Sequence, residues 1–408
     1  MAVNLPVLQA GQLLAIDGIR LATASAGIKN NDRTDLVLIE IAKGSSVSAV
    51  YTQNAFCAAP VTIAKQHQKV TGPRYCLINS GNANAGTGRQ GDEAATNCCR
   101  LLAEQLNVVT ECVLPFSTGV IGQQLPVEKI QAALPDLIST LTSDNWFNAA
   151  HGIMTTDTLA KAISQKVMVD GVSITITGMA KGSGMIRPDM ATMLSYIATD
   201  ANVSQGLLDK MLKQAAAQSF NRISVDGDTS TNDACVLIAT GQADNAALTD
   251  FDSEAAQKLY KAIAKVSQYL AHAIVRDGEG ATKFIEVTVE QGQNTAECRQ
   301  VAYTIAHSPL VKTAFFASDP NWGRILAAVG RSGLQDFDLS KVAIYLDDIC
   351  IIRAGEPAAE YTEPKGQDVM DNAEITIRVM LERGEAIESV WTCDFSYDYV
   401  KINAEYRS

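Results

Sequence analysis

The sequence predicts a mixed α/β (α+β) protein, and three local patterns carry that prediction. One is a hairpin signal at 167–177, another an amphipathic helical stretch at 204–220, and the third a strictly alternating strand at 374–381. Strand and helix signals occur in both halves of the chain, with no low-complexity linker and no evident repeat.

In chain order, residues 92–106 have helical periodicity. The hairpin follows: Val167, Met168 and Val169 lead into Asp170-Gly171, a pair able to take positive φ, and the chain returns through alternating Val172, Ile174 and Ile176. At 204–220 Ser204 is available as N-cap, and Leu207, Leu208, Met211, Leu212, Ala215, Ala216 and Phe220 recur on one face, which is therefore expected in the core. A further helix is expected over 253–276, and EITIRVML at 374–381 alternates like a half-buried strand.

With 408 residues, 47% of them hydrophobic and 19% charged, the chain has apolar material for sizeable cores. Length favours roughly two or three domains, although no composition shift marks a boundary. The net charge of −12 and the lack of Lys/Arg runs exclude a nucleic-acid partner. No stretch approaches the ~20 apolar residues of a membrane span, and no basic residue precedes Arg20, so neither a membrane anchor nor a secretory signal is expected. Nine scattered cysteines, without a Cys-x-x-Cys pair, read as buried thiols in a reducing compartment. The four histidines stand far apart, which argues against zinc.

Three motifs imitate ligand sites. Gly86 to Gly91 matches G-x-G-x-x-G, but six residues separate its first glycine from the candidate strand 75–79, so a plain turn is expected in place of a dinucleotide loop. Asp226 to Asp233 (DGDTSTND) resembles a calcium loop, yet Thr231 occupies the sharp-turn glycine position and Leu237 that of the bidentate Glu. It reads as a polar turn before a buried strand, 234–239. Lys181-Gly182-Ser183-Gly184 has its lysine before the glycines, the reverse of a phosphate loop. Thr192, flanked by Met190, Ala191, Met193 and Leu194, reads by pattern alone as an ordinary strand residue.

The segment Lys181-Gly-Ser-Gly-Met-Ile-Arg-Pro-Asp-Met-Ala-Thr192-Met-Leu resembles the self-cleavage segment of the ornithine acetyltransferases, the bifunctional glutamate and amino-acid N-acetyltransferases of arginine biosynthesis. Six further segments resemble family signatures in family order: 79–85 (NSGNANA), 117–122 (STGVIG), 155–158 (TTDT), 277–283 (DGEGATK), 319–324 (DPNWGR) and 403–408 (NAEYRS). The resemblance spans nearly the whole chain. It implies a self-processing, N-terminal-nucleophile-like layered α/β sandwich of the ornithine acetyltransferase/DmpA type.

By resemblance the chain is cut between Ala191 and Thr192 into an α chain, 1–191, and a β chain, 192–408, and Thr192 becomes the nucleophile. The chemistry is coherent, because an α-amine with a pKa of about 7.7–8 can serve as base for its own hydroxyl, whereas an internal amide cannot. Acetyl would pass from N2-acetylornithine to Thr192 and then to L-glutamate in a ping-pong sequence, without a cofactor. Bifunctional members also accept acetyl-CoA, whereas monofunctional ones only recycle acetyl from acetylornithine; the motifs do not separate the two, and the bifunctional activity is the expectation here, with the monofunctional one as its alternative. Thr118, through its hydroxyl, and Gly119, through its N–H, would form the oxyanion hole. Thr155, Thr156, Lys181, Glu279, Asn403 and Ser408 would join Thr192 in binding substrate, with Lys181 pairing with the carboxylate or tuning the threonine amine and Glu279 meeting the ornithine ammonium. Which of the two threonines faces the site is open, and Asp157 equally suits a turn. The resemblance further implies a cytoplasmic heterotetramer of two α and two β chains.

Two rival functions are distinct in what they predict. Related self-processing folds include aminopeptidases and amidases that hand the acyl group to water, and such an enzyme would release acetate with or without glutamate. A nucleotide-binding module built on Gly86 to Gly91 would remain one uncut chain.

Overall fold

A computed structural model describes residues 2–29, 33–187 and 193–405. The chain divides into a larger unit, residues 7–221 with 228–274, and a smaller one, residues 1–6 and 222–227 with 275–408. The division does not coincide with the Ala191–Thr192 bond.

The larger unit begins with β1 (Ile19–Ala24), β2 (Leu36–Ile41), β3 (Ser46–Tyr51), α1 (Ala59–Val70), β4 (Tyr75–Asn82), α2 (Gly88–Leu106) and β5 (Val113–Val120). It continues through α3 (Val127–Ser139), α4 (Trp146–Gly152), β6 (Lys161–Val169), β7 (Val172–Lys181), β8 (Leu194–Thr199) and α5 (Gln205–Gln218). After the short β9 (Ile223–Ser224) of the smaller unit come β10 (Ala234–Ala239) and α6 (Glu254–Arg276). The strands form a four-stranded sheet, β1-β2-β4-β5, and a five-stranded sheet, β3-β10-β8-β7-β6.

Because side chains alternate across a strand, each sheet has two faces to cover. Val37, Ile39 and Ile41 of β2, with Ile78 and Phe116, meet Tyr196, Val236 and Ile238 of the five-stranded sheet in one core. Leu36 and Leu38, on the opposite face of β2, pack with Cys99 and Leu102 of α2 and with Ile130, Leu134 and Leu137 of α3. On the outer face of the other sheet, Gly178 of β7 lies against Val266 and Leu270 of α6, where an added Cβ would come within 3.0–3.1 Å of them. The order helix, sheet, sheet, helix is the layered α/β sandwich expected from the sequence. Burial of each such Leu or Ile contributes roughly 1.5–3 kcal/mol, which explains why β2 and β10 are almost wholly apolar.

The hairpin is present in full register, from Lys161↔Ala180 to Val169↔Val172, and Asp170 and Gly171 take φ of 48° and 83°. The 204–220 face is buried at all seven expected positions. Ser204 does occupy the N-cap position, but its side chain makes no capping bond. Helix α2 starts at Gly88, four residues before the sequence pattern does, since the glycines there carry no apolar periodicity.

The smaller unit contains β11 (Phe284–Gly292), α7 (Thr295–Ala306), α8 (Pro309–Phe316), α9 (Trp322–Gly330), β12 (Ala343–Leu346), β13 (Ile349–Arg353), β14 (Glu356–Pro357), α10 (Glu363–Met370), β15 (Glu374–Met380), β16 (Ala386–Cys393) and α11 (Tyr397–Ala404). Its sheet runs β14-β13-β12-β15-β11-β16-β9. Val287, Ile377 and Val390 of the sheet and Val301, Ile305, Phe315 and Ile325 of the helices form its core. Strand β15 alternates in burial from Glu374 onward, as predicted. All nine cysteines are free thiols, seven of them buried. Among the described residues no helix is long and apolar enough to cross a membrane.

Candidate active site

Strand β5 ends in Ser117-Thr118-Gly119-Val120, paired in parallel with Asn79 to Asn82 of β4. Gly119 has φ of +135°, and a Cβ there would lie 2.3 Å from the Gly81 carbonyl carbon and 2.5 Å from the Asn82 nitrogen. Only glycine permits this close approach of two main chains. The asparagines of the 79–85 segment fasten the same end: Ser117 Oγ donates to Asn79 Oδ1 at 2.6 Å, and Asn79 Nδ2 donates to Asn82 O at 2.8 Å.

Lys181 closes β7, two positions beyond Met179, and is 9% exposed. The exposed position usual for a lysine is thus not what the fold provides. Its Nζ donates to Thr155 Oγ1 at 2.8 Å and to Thr118 Oγ1 at 3.2 Å. The sequence missed the group behind it. Asp157, fully buried, accepts from Lys161 Nζ at 2.6 Å, from the Gly182 N–H at 2.7 Å and from the Thr155 N–H at 3.0 Å, with Lys181 Nζ 4.0 Å away. Burial alone would raise its carboxyl pKa, but the charges of Lys161 and Lys181 and the Gly182 N–H outweigh that and hold it well below the usual carboxylate range. Asp157 is therefore an ionised counter-charge, not a turn residue in solvent.

The two adjacent threonines separate clearly. Thr155 presents its hydroxyl to Lys181, whereas the Thr156 hydroxyl pairs with Ser183 Oγ at 2.7 Å. Ala191, Thr192 and Ser408 lie outside the described residues.

Beyond the expected residues, the 229–233 segment bears on β5. Asn232 Nδ2 donates to Ala83 O at 2.6 Å and to Ser117 O at 2.9 Å. Next to it Asp233 is buried; desolvation drives its carboxyl well above the ordinary value, only partly offset by Ser230 and the charge of Lys181. The sequence marked this run only as a polar turn, since no local pattern reveals which sheet a turn touches. Of the Gly86 to Gly91 run, expected to be a plain turn, only Gly86 and Thr87 lie outside a helix, since Gly88 to Gly91 open α2; Thr87 Oγ1 donates to Asn84 Oδ1 and Asn84 Nδ2 to Gly91 O, each at 2.9 Å.

In the smaller unit Glu279 is 6% exposed, again unlike a surface carboxylate. Asn403 Nδ2 of α11 donates to its Oε2 at 2.8 Å. Gly280, with φ of +69°, lets the loop approach α11, since a Cβ there would lie 2.6 Å from the Tyr399 nitrogen. Asp394 fixes the other side of the loop by accepting from the Thr282 and Lys283 N–H groups at 2.8 and 2.9 Å. Among the described residues no cluster of three His, Cys, Asp or Glu side chains is arranged to hold a metal.

A buried ammonium that donates to two hydroxyls, one of them Thr118 near the end of β5 beside Gly119, and that is backed by an ionised carboxylate suits stabilisation of negative charge on a reacting carbonyl. The ArgJ family model matches residues 20–408. The arginine biosynthesis bifunctional protein ArgJ of Pseudomonas syringae pv. tomato is 56% identical over 408 residues, covering 100% of both chains. The protein of that name from Psychrobacter arcticus is 56% identical over 393 residues, covering 96% of this chain and 97% of its own. A crystal structure of the arginine biosynthesis bifunctional protein ArgJ from Bacillus halodurans matches at 42% identity with a TM-score of 0.50, over 52% of this chain and 99% of that one. The chain belongs to the ArgJ family, the glutamate N-acetyltransferases and amino-acid N-acetyltransferases of arginine biosynthesis.

Proposed function

We propose that the protein cuts its own chain between Ala191 and Thr192 and then carries acetyl on Thr192, from N2-acetylornithine to L-glutamate. Acetyl-CoA is proposed as a second donor. In the cut, Thr192 Oγ bonds to the Ala191 carbonyl carbon, the C–N bond breaks, and the hydroxyl proton ends on the departing nitrogen. Water then hydrolyses the ester. The new α-amine takes the Thr192 hydroxyl proton when Oγ attacks the acetyl carbonyl, and it returns that proton to ornithine as the amide bond breaks. Attack by the glutamate amine on the acetyl ester frees Thr192 again. No cofactor takes part in these steps.

The observation that carries this reading is the double donation of Lys181. Thr118 Oγ1 accepts from the ammonium, so its own O–H proton is turned away from Lys181 and sharpened as a donor by the adjacent positive charge. Together with the Gly119 N–H this supplies two donors for an oxyanion. Loss of one such donor commonly costs about 2.7–4 kcal/mol of transition-state stabilisation. The Bacillus halodurans chain, 99% of which is covered by 52% of this one, has about the length one fragment of the cut would have.

For the substrate, Glu279 is proposed to receive the side-chain ammonium of ornithine with Asn403 orienting it, and Thr155, Thr156, Lys181, Thr192 and Ser408 to bind the remainder. The assembly is proposed as a heterotetramer of two α and two β chains in the cytoplasm. Intact-mass measurement on the purified protein tests the core of the reading: two fragments dividing at 191/192 are expected, and one chain in Thr192→Ala. A single uncut chain with full transferase activity would refute it. Glutamate acetylation with acetyl-CoA as sole donor tests the second activity. Acetate released from acetylornithine regardless of glutamate would identify a hydrolase instead.

A further inference from the structure

Asn232 is 6% exposed and stands two residues ahead of β10, in the polar run whose calcium-loop likeness fails. Both hydrogens of its amide are used on main-chain carbonyls, those of Ser117 in β5 and of Ala83, the residue that follows β4. Its Oδ1 accepts from Thr231 Oγ1 at 2.5 Å. The reversed amide would set an oxygen against two carbonyl oxygens, so the chemistry admits one orientation.

Ser117 O belongs to the peptide that joins Ser117 to Thr118. Holding that oxygen fixes the peptide plane, and with it the direction in which Thr118 leaves the strand. The anchor is itself tied to the 52–58 segment. Thr52 Oγ1 donates to Ser230 O at 2.8 Å, the Thr52 N–H to Asp233 O at 3.0 Å, Asn54 Nδ2 to Thr229 O at 2.8 Å and the Ala58 N–H to Thr231 O at 3.0 Å. From there β10 runs parallel to β8 with Ala234 opposite Leu194, and the Ala234 N–H donates to Met193 O at 2.9 Å.

We propose that Asn232 is a positioning residue of the acetyl-transfer centre: its amide holds the Ser117–Gly119 segment at a set distance from the paired strands β8 and β10. The proposal rests on the reading of Thr118 and Gly119 as the oxyanion donors. After a cut at 191/192, Asn232 belongs to one fragment and Ala83 and Ser117 to the other, so these bonds fasten donors to a strand of the separate fragment that carries the nucleophile.

A double-mutant cycle on the full-length protein tests this, with acetyl transfer from N2-acetylornithine to glutamate as readout. Asn232→Ala is expected to lower kcat about 10–100-fold, the range of a small misplacement of catalytic groups, with KM changed less than about 2-fold. In a Thr118→Ala background the same substitution is expected to lower kcat by a clearly smaller factor than in the wild type, because one of the two donors it positions is gone and only the Gly119 N–H remains. An unchanged kcat, or an equal loss in both backgrounds, would overturn the proposal. Full turnover by Thr118→Ala would instead overturn the assignment of the donors. Should Asn232→Ala fail to fold, Thr231→Val keeps the amide but removes its hydroxyl partner. That variant is expected to lose about 3–10-fold in kcat at constant KM, and a wild-type kcat would sink the proposal.

Discussion

Lys181 Nζ lies 2.8 Å from Thr155 Oγ1 and 3.2 Å from Thr118 Oγ1, so one ammonium orients hydroxyls from a loop and from the end of β5. Lys181→Met is expected to lower kcat/KM by about 10²–10³-fold, the scale of a lost oxyanion donor. Lys181→Arg should not restore activity, because a planar guanidinium cannot reproduce a point charge that donates in two directions. Steady-state kinetics with acetylornithine checks both. Near-wild-type kinetics in Lys181→Met would remove Lys181 from the site.

Asp157 is the counter-charge for Lys161 and Lys181. Asp157→Asn removes the counter-charge of the Lys161 ammonium, whose side chain has no exposure, and is expected to cost about 3–5 kcal/mol in denaturant unfolding. Because the folded carboxyl pKa is depressed, its stabilising contribution is complete above the unfolded value of about 3.9 and declines as pH falls toward the folded one. Unfolding free energy measured from pH 7 downward should therefore fall more steeply below about pH 4 in the wild type than in Asp157→Asn. Parallel curves would contradict the ionised state.

Gly119→Ala should be far more damaging than its single methyl suggests. The added Cβ meets main-chain atoms of Gly81 and Asn82, which cannot rotate aside, at a φ that other residues rarely adopt. Loss of chain cutting and of transferase activity is expected, by gel and by turnover assay. A fully processed, active variant would show that β4 and β5 need not approach so closely.

Glu279→Gln is expected to weaken acetylornithine by about 1.5–3 kcal/mol, seen as a KM raised about 10–150-fold, because a charge-assisted bond to the side-chain ammonium is lost. N-acetyl substrates without that ammonium should be affected much less. Equal effects on both would mean that Glu279 acts on the loop and not on the substrate.

The threonine pair shows how much of the site was legible in the chain. Resemblance singled out Thr155 and Thr156 together, but the choice of partner depends on the turn that Asp157 organises, with Lys161 and Gly182 as its other ligands. Asp157 itself was ambiguous, since a lone aspartate in a Thr-Thr-Asp-Thr run looks alike as a turn residue and as a buried ion. Asn232 carried no signal at all. A polar turn before an apolar strand was predicted and is present, yet nothing local says that its amide reaches another sheet.

The sequence by itself determined the hairpin at 167–177, the buried face of α5, the alternation of β15 and, through motif resemblance, the family. Those features depend on periods of two or about 3.6 residues and on turn chemistry, which act between near neighbours. Tertiary structure decided the burial of Lys181 and Glu279, the ionisation of Asp157 and the reach of Asn232 to Ser117. The reason is physical: the free energy of a buried charge or amide depends on groups distant in the chain, 26 positions for Lys181 with Thr155 and 115 for Asn232 with Ser117. Only the packing of two sheets brings them within a hydrogen bond.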